Sequence, residues 1–289
     1  MKTIAALLLS CCALAAHAQV PQTVYFPSAD GKTELVGYLF EPAGPGPHPA
    51  IVMMHGRAGP YSSNVNGSCT QVGRGIVSPC SAKTLSKRHV MWGEYWAQHG
   101  YVALHVDSFG PRGRGHGYGR GTHDDADRDE VNERTVRPLD AEGALAFIAQ
   151  RRDVQPSRIM LQGWSNGGST TLNAMYRQAQ AGQATGRPRF RAALAFYPGC
   201  GTKALISQRY QVDVPLWVFL GSDDEEVSPT VCADVLRKST TANLIQVTLY
   251  QGATHDFDDP GKTRESVAGN RAAHDDVLRR SAALLDSVR

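Results

Sequence analysis

The sequence predicts an α/β fold with a mostly parallel central sheet, helices on both faces and an antiparallel hairpin at its N terminus. Strand-like apolar runs alternate with helical segments along most of the chain, which is the pattern of a parallel sheet covered by helices. The 289 residues are 42% hydrophobic and 20% charged, as in ordinary soluble globular proteins. Since no repeat and no linker divides the chain, we expect a single domain over residues 19–289.

The individual elements follow from local patterns. Strand-like runs at residues 23–26 and 35–40 flank the turn sequence Ala-Asp-Gly-Lys and predict the hairpin. Short apolar runs typical of strands buried on both faces cover residues 50–54, 101–106, 158–162, 192–197, 215–220 and 244–250. Helical patterns cover residues 91–99, 130–151, 166–181, 230–238 and 271–288, with Pro138 as a kink or boundary in the second of them. The polar stretch 59–88 is long for a connection, a length typical of functional lids or disordered segments.

The N terminus predicts a signal peptide over residues 1–18. Lys2 precedes a short apolar run, and Ala16-His17-Ala18 forms a small-x-small cleavage pattern. The run is shorter than the roughly 20 residues that span a bilayer, so we expect no membrane span after cleavage. The alternatives are an ordinary N-terminal helix and lipidation at Cys11. The sequence therefore predicts a periplasmic or secreted protein.

Four cysteines remain after residues 1–18 are removed: Cys69, Cys80, Cys200 and Cys232. An even number in an oxidising compartment favours disulfides, and four cysteines allow three pairings. A bond between Cys69 and Cys80 would close the polar loop, and one between Cys200 and Cys232 would join two regions near the later strands. The alternative is buried free thiols.

Charge and residue clusters point to no further partner or cofactor. Thirty Lys plus Arg against 27 Asp plus Glu give a net charge of +3, too small for a nucleic-acid-binding face. His116, His123 and the acidic residues between 124 and 129 are of metal-binding types. Acidic residues before a helix are, however, typical of stabilisation of its positive end, so we predict no metal. The oligomeric state stays open.

One motif carries nucleophilic chemistry. Gly163-Trp164-Ser165-Asn166-Gly167 matches Gly-x-Ser-x-Gly, directly after a predicted strand and before a predicted helix. Such a sharp turn lifts the serine hydroxyl above the sheet, and glycines flank it because a side chain there would collide with the turn. The alternative, a phosphate-binding turn, lacks its Gly-Lys-Ser/Thr sequence. Ser165 is the predicted nucleophile of an α/β-hydrolase fold.

A serine hydroxyl needs a base that a carboxylate orients, and in this fold the chain order is serine, acid, histidine. Of the two histidines after Ser165, His255 follows a predicted strand, whereas His274 lies in the closing helix. The acid should follow the strand at 215–220. Residues 223–226 offer four carboxylates, of which we favour Asp224, with Asp223 second.

The oxyanion formed by attack on a carbonyl needs backbone donors. We expect one from the residue after the nucleophile, Asn166. The second should come from the loop after the third strand, where Gly56 and Gly59 allow close approach of the backbone. Arg57 is the predicted second donor.

With these motifs, nearly the whole chain after residue 18 resembles the dienelactone hydrolase family. The most specific segment is Asp107-Ser108-Phe109-Gly110-Pro111-Arg112-Gly113. The other matching segments are residues 55–56, 92–100, 140–146, 163–168, 196–199, 221–224 and 255–257. The resemblance implies an α/β-hydrolase with a Ser/Cys–His–Asp triad and an acid three residues after Gly221, which is Asp224.

The resemblance also suggests substrate contacts and sets a limit on the substrate. An arginine among Arg112, Arg114 and Arg120 would bind an anionic group; a solvated basic loop or a structural salt bridge is the alternative. Trp164 would line an apolar pocket or pack on the neighbouring strand. Family members named for dienelactones carry cysteine where this chain has Ser165, so a lactone is not the only expected substrate.

The sequence therefore predicts an exported serine hydrolase that cleaves a carboxylic ester or lactone through an acyl-enzyme at Ser165, without a cofactor. A peptidase or acyltransferase would use the same triad. A binding protein on the same fold is the non-enzymatic alternative.

Overall fold

The computed structural model describes residues 20–122, 125–182 and 186–288. The predicted signal peptide lies outside them. The strands form one eight-stranded sheet: β1 (Gln22–Pro27), β2 (Glu34–Phe40), β3 (His48–Met54), β4 (Val102–Asp107), β5 (Val154–Trp164), β6 (Phe190–Phe196), β7 (Leu216–Gly221) and β8 (Ile245–Tyr250). The strand order is β1-β2-β4-β3-β5-β6-β7-β8. Pairing is antiparallel for β1 with β2 and β2 with β4, and parallel elsewhere. This confirms the predicted mostly parallel sheet and its N-terminal hairpin.

Helices cover both faces of the sheet. They are α1 (Ser63–Asn66), α2 (Lys87–Gln98), α3 (Arg137–Ala149), α4 (Asn166–Ala181), α5 (Pro229–Arg237), α6 (Lys262–Glu265) and α7 (Ala268–Asp286). Alternate residues of the central strands enter two different cores. In β3, Val52 packs in the core that includes α3 and α4, whereas Ile51 and Met53 pack with α2 and α7. Because both faces are buried, the strands read as continuous apolar runs.

Two predicted helix boundaries differ from the structure. In the segment 130–151, Pro138 marks a boundary and not a kink: a 3-10 turn covers Ala126–Val131, and α3 begins only at Arg137. Pro138 lies in the first turn of α3, where its missing N–H needs no partner, so the proline sets the start of the helix. Helix α2 begins at Lys87 instead of residue 91, because the Ser86 hydroxyl caps it by accepting from the His89 N–H.

The polar stretch 59–88 folds back on itself and packs against a neighbouring loop. An isolated bridge pairs Tyr61 with Leu85, and a disulfide joins Cys69 to Cys80. Two backbone hydrogen bonds attach the stretch to the loop after β4: Val72 N–H to Gly110 O and Gly115 N–H to Thr70 O. That loop leads to Arg120 and Gly121, which line the cavity described below.

The second disulfide joins Cys200, after β6, to Cys232 in α5. The structure thus contains both of the cysteine pairs that the sequence suggested. Each pair has a Cα separation in the usual disulfide range, 5.8 Å and 4.8 Å respectively. Within the described ranges, none of the helices combines the length and the apolar composition needed to cross a bilayer.

Candidate active site

Ser165 stands at a sharp turn between β5 and α4. Its φ of 52° and ψ of −116° are strained for a residue with a side chain. A Cβ on Gly163 would lie 2.1 Å from the carbonyl oxygen of Gly167, and one on Gly167 would lie 2.0 Å from the carbonyl oxygen of Met54. The turn therefore requires glycine at both positions, which explains the Gly-x-Ser-x-Gly spacing.

The structure brings Ser165, His255 and Asp224 into one hydrogen-bonded chain. Ser165 Oγ is 2.9 Å from His255 Nε2, and His255 Nδ1 is 2.8 Å from Asp224 Oδ2. The second oxygen of Asp224 accepts the backbone N–H groups of Glu226 and Val227. Asp223 is exposed, and its carboxylate accepts the Ser222 hydroxyl. Of the two candidate acids, Asp224 is therefore the one in contact with the histidine.

His255 is buried, and its surroundings favour the protonated ring. Burial opposes protonation, but the hydrogen bond to Asp224 and the negative charges of Asp256, Asp224 and Glu226 outweigh it, so the pKa of His255 is raised above its usual value. The Glu226 carboxylate lies 3.8 Å from Nε2. The ring of Tyr197 lies 4.7 Å from the imidazole, centroid to centroid. A ring so placed can take a proton from Ser165 and hold it as an imidazolium.

Two backbone N–H groups are available beside the nucleophile. Asn166 opens α4, and Arg57 follows β3; neither backbone N–H has a hydrogen-bond partner among the described residues. The loop carrying Arg57 is adjacent to Ser165, because a Cβ on Gly56 would lie 3.6 Å from Ser165 Cβ. Two such donors can stabilise an oxyanion that forms beside Ser165.

A buried arginine holds these two segments together. Arg137 donates from Nη2 to the carbonyl of His55 and from Nη1 to Oδ1 of Asn166. Nδ2 of Asn166 donates to Glu133. Burial lowers the pKa of Arg137 to about 10, so it stays charged at neutral pH. The Asn166 side chain is thus engaged in fixing the loop after β3 against α4.

A cavity of about 440 Å³ opens beside Ser165. Its wall includes the charged residues Arg57, Arg120, Lys203, Glu225 and Glu226. Small and apolar groups complete it, among them Gly199, Cys200, Ala204, Val227 and Val231. Ser165 is therefore reachable by a small molecule, and the wall of the cavity combines charged with small and apolar groups.

The chain was compared with protein families and with solved structures. The model of the dienelactone hydrolase family matches residues 86–288, more than two thirds of the chain. The chain belongs to the dienelactone hydrolase family. This confirms the resemblance and the prediction of a hydrolase acting on ester bonds. Within this dienelactone hydrolase family member, the hairpin, β3 and the disulfide-closed stretch precede the matched range.

Solved structures share the fold of this dienelactone hydrolase family member at low sequence identity. An esterase from the planctomycete Thermogutta terrifontis with bound propionate is 19% identical, with a TM-score of 0.62 over 94% of this chain and 95% of that one. The same esterase phosphonylated by cyclosarin gives 20% and 0.61, over 94% and 96% of the chains. A dienelactone hydrolase-like promiscuous phosphotriesterase from metagenomic libraries gives 18% and 0.63, over 92% and 97%.

Arg112 and Trp164 do not line the cavity. The Arg112 guanidinium donates to Asp140, Asp30 and the carbonyl of Ser108, in the structural ion pair that the sequence left as the alternative. Trp164 is fully buried, and its Nε1 donates to Asp258. Both residues are occupied in holding the fold around the site.

One group of side chains has the types and proximity of metal ligands. Potential ligand atoms of Glu226, His255 and Asp256 lie within 4.8 Å of one another. Both ring nitrogens of His255 already contact Asp224 and Ser165, so a metal there would have to displace the hydrogen bond to the serine. The donor set therefore fits proton transfer better than metal binding. Of the earlier cluster, His123 and Asp124 lie outside the described residues.

Sequence reasoning missed several residues around the triad. Glu226 was predicted only as a candidate acid, yet its carboxylate accepts hydrogen bonds from Nε and Nη2 of Arg57. Asp258 and Arg88 were not considered at all. The sequence His255-Asp256-Phe257-Asp258 held a signal, because two acidic residues in a loop that carries a buried histidine need partners of their own.

Proposed function

We propose that this protein is an exported serine hydrolase that cleaves a carboxylic ester or lactone through an acyl-enzyme at Ser165. The observation that carries the proposal is the continuous chain from Ser165 Oγ through His255 to Asp224, at 2.9 Å and 2.8 Å, beside an open cavity. Membership of the dienelactone hydrolase family supports ester-bond cleavage. The phosphonylated structural neighbour supports a nucleophile of the same type.

The geometry supports a two-step reaction. His255 Nε2 takes the Ser165 proton as Oγ attacks the carbonyl carbon, and the N–H groups of Arg57 and Asn166 stabilise the oxyanion. The imidazolium, stabilised by Asp224, then gives the proton to the leaving alcohol oxygen, and an acyl-enzyme remains. Water, deprotonated by the same His255, attacks the acyl carbon; the bond from this carbon to Ser165 Oγ then breaks, the imidazolium returns the proton to Oγ, and the acid is released. Asp224 stays ionised throughout.

The cavity supports a small acyl group. About 440 Å³ is at the lower end of the range for small-molecule sites. The small apolar groups Ala204, Val227 and Val231 are part of its wall. We therefore propose short acyl chains as preferred, in keeping with the propionate and butyrate bound to the Thermogutta terrifontis esterase.

Export is the second part of the proposal. The predicted signal peptide over residues 1–18 would be cleaved after Ala18, which leaves the single catalytic domain 19–289 in the periplasm or outside the cell. Both disulfides support an oxidising compartment, because thiols in the bacterial cytosol are kept reduced.

Labelling with a fluorophosphonate tests the nucleophile. We expect one label per chain in the wild type and none in Ser165→Ala, together with a loss of p-nitrophenyl acetate hydrolysis by several orders of magnitude. Ser169→Ala is the matched control, because Ser169 lines the same cavity but its hydroxyl bonds the carbonyl of Gly199. We expect this control to be labelled at the wild-type rate.

The alternatives have distinct outcomes. An unlabelled wild-type protein without ester turnover would leave a binding protein on a hydrolase fold. A labelled protein that prefers amides or added acyl acceptors would be a peptidase or an acyltransferase. A panel of esters, lactones and amides with two to twelve acyl carbons also measures the preferred acyl length.

A further inference from the structure

A second buried carboxylate lies three residues after His255. Asp258 is fully buried, and it accepts hydrogen bonds from three donors. Trp92 Nε1 and Trp164 Nε1 each donate to Oδ2 at 2.8 Å, and the hydroxyl of Tyr197 donates to Oδ1. A buried carboxylate is costly unless it is fully bonded, so these contacts constrain all four side chains.

Two of the three donors adjoin the triad. Trp164 is the last residue of β5 and directly precedes Ser165, whose own N–H donates to the carbonyl of Phe196. Tyr197 follows β6 with a φ of 36°, and its ring lies 4.7 Å from the His255 ring. Asp258 thus connects the residue before the nucleophile with the aromatic ring beside the base.

Trp92, the third donor, belongs to α2 and is not a chain neighbour of a triad residue; its ring lies 6.1 Å from that of Trp164, centroid to centroid. Its indole N–H contacts the same oxygen as that of Trp164, at the same distance. The two tryptophans therefore donate equal hydrogen bonds to Asp258. They differ in their place in the chain, because Trp164 directly precedes Ser165 and Trp92 belongs to α2. Loss of one or the other hydrogen bond therefore compares an effect on the packing of α2 with an effect on the position of the strand that carries Ser165.

Arg88 places one positive charge near two carboxylates, that of Asp258 and that of Asp256, which directly follows the proposed base. It donates from Nη1 to Asp256 and, at 2.8 Å, to the hydroxyl of Tyr197, and the same atom is 3.8 Å from Asp258. Asp256 has a φ of 57° and directly follows His255. The loop from His255 to Asp258 is therefore held near both ends by charge-assisted contacts, partly buried at Asp256 and fully buried at Asp258.

We propose that Asp258 is a positioning residue that sets the distance between Ser165 and His255. This inference rests on the proposed function. Asp258 touches no reacting atom; it fixes the loop of the base through its chain connection and Tyr197, and the strand of the nucleophile through Trp164. Proton transfer needs Oγ and Nε2 within hydrogen-bond reach, so a shift of the loop by about 1 Å would slow the reaction by up to about 100-fold.

The experiment measures kcat, KM and melting temperature for four single variants. Asp258→Asn changes the shared acceptor of the three hydrogen bonds. Tyr197→Phe and Trp164→Phe remove the two donors beside the triad. Trp92→Phe is the control, because it removes an equal hydrogen bond on the side of α2. We expect kcat to fall about 10- to 100-fold in Asp258→Asn and at least fivefold in the two triad-side variants, with KM within twofold. In Trp92→Phe we expect kcat to fall less than in Trp164→Phe, whatever its melting temperature.

A second measurement separates geometry from stability. The rate of fluorophosphonate labelling in single turnover should fall by the same factor as kcat in Asp258→Asn. The double variant Asp258→Asn with Tyr197→Phe should lose little more than Asp258→Asn alone, because both changes break one shared contact. Tyr197→Phe and Trp164→Phe test the inference even where Asp258→Asn does not fold.

An unchanged kcat in folded Asp258→Asn, or equal losses of kcat in Trp92→Phe and Trp164→Phe, would overturn the inference. These results leave the proposed function intact as long as Ser165→Ala is inactive. Retained activity in Ser165→Ala would contradict the proposed function itself, so the two failures are distinguishable.

Discussion

Glu226 binds the guanidinium of Arg57 while its Oε2 lies 3.8 Å from His255 Nε2. The Arg57 Nε and Nη2 atoms lie 3.0 to 3.1 Å from the carboxylate oxygens, and Arg120 approaches the same carboxylate at 2.7 Å. Glu226 therefore links the residue whose N–H we assign to the oxyanion site with the proposed base.

Glu226→Gln should change both the pKa of His255 and the anchoring of Arg57. The pKa of His255 is raised in the wild type, and loss of the Glu226 charge should lower it. Because the base acts as the neutral ring, kcat/KM should rise with pH through an apparent pKa above about 6.5 in the wild type. In the variant this limb should move to lower pH, and the plateau should fall about tenfold as Arg57 loses its anchor.

A pH profile of p-nitrophenyl acetate hydrolysis measures both effects. Glu142→Gln serves as the control. Glu142 pairs with Arg177 at a distance from the triad, and its substitution removes the same charge from the protein. A limb that stays in place in Glu226→Gln would show that this carboxylate does not act on the base.

The two neighbouring aspartates should respond very differently to loss of charge. Asp224→Asn should lower kcat by about 10⁴-fold, because the amide would stabilise the wrong tautomer of His255. Asp223→Asn should stay within about threefold of wild type, because Asp223 is exposed and contacts Ser222. Steady-state kinetics of the pair measures this, and a larger loss in Asp223→Asn would reverse the assignment of the acid.

Three buried histidine rings should make folding stability depend on pH. His55, His89 and His105 are at most 1% exposed, and the His89 and His105 rings lie 4.2 Å apart, centroid to centroid. Burial, with nearby positive charges, lowers the pKa of His89 to about 3 and those of His55 and His105 well below the usual value. The folded protein therefore keeps these rings neutral where the unfolded chain binds protons.

The sign follows from proton linkage. Below about pH 6.5 the unfolded chain binds more protons, so the free energy of unfolding falls as pH falls, by about 1.4 kcal/mol per pH unit for each such ring. His105→Phe should reduce this slope by about that amount. Urea unfolding between pH 5 and pH 7.5, monitored by tryptophan fluorescence, measures it; an unchanged slope in the variant would contradict neutral burial of His105.

The two disulfides should differ in their effect on substrate binding. Chain entropy gives about 3.7 kcal/mol of stabilisation for the Cys200–Cys232 pair, separated by 32 residues, and about 2.8 kcal/mol for the Cys69–Cys80 pair, separated by 11. Cys200 also lines the cavity, whereas Cys69 and Cys80 do not.

Replacing each pair by serines tests this difference. Both double variants should unfold at lower denaturant concentration. KM should rise several-fold only in Cys200→Ser with Cys232→Ser, because this bond joins the two walls of the cavity formed by the loop after β6 and by α5. Equal changes of KM in both double variants would mean that the disulfide at the cavity has no specific role there.

Much of the fold could be predicted because its signals are local. Apolar runs mark the buried strands, and Gly163 and Gly167 mark the turn around Ser165. The partners His255 and Asp224 could be chosen because each follows a strand, and the carboxyl ends of parallel strands meet at one edge of the sheet. In the segment 130–151 the sequence left Pro138 as a kink or a boundary, since helical spacing alone does not show whether a proline opens a helix or interrupts one; the structure has it in the first turn of α3.

The sequence by itself determined the element pattern, the nucleophile and the order of its partners, because these depend on residues close along the chain. Only the tertiary structure decided which charges face one another. Arg112 forms an ion pair with Asp140, and Arg57 forms one with Glu226. Asp258 accepts hydrogen bonds from Trp92 and Trp164. These partners are 28 to 169 residues apart in the chain. No local pattern selects among the many possible pairs, and their energy arises only when folding removes both groups from water.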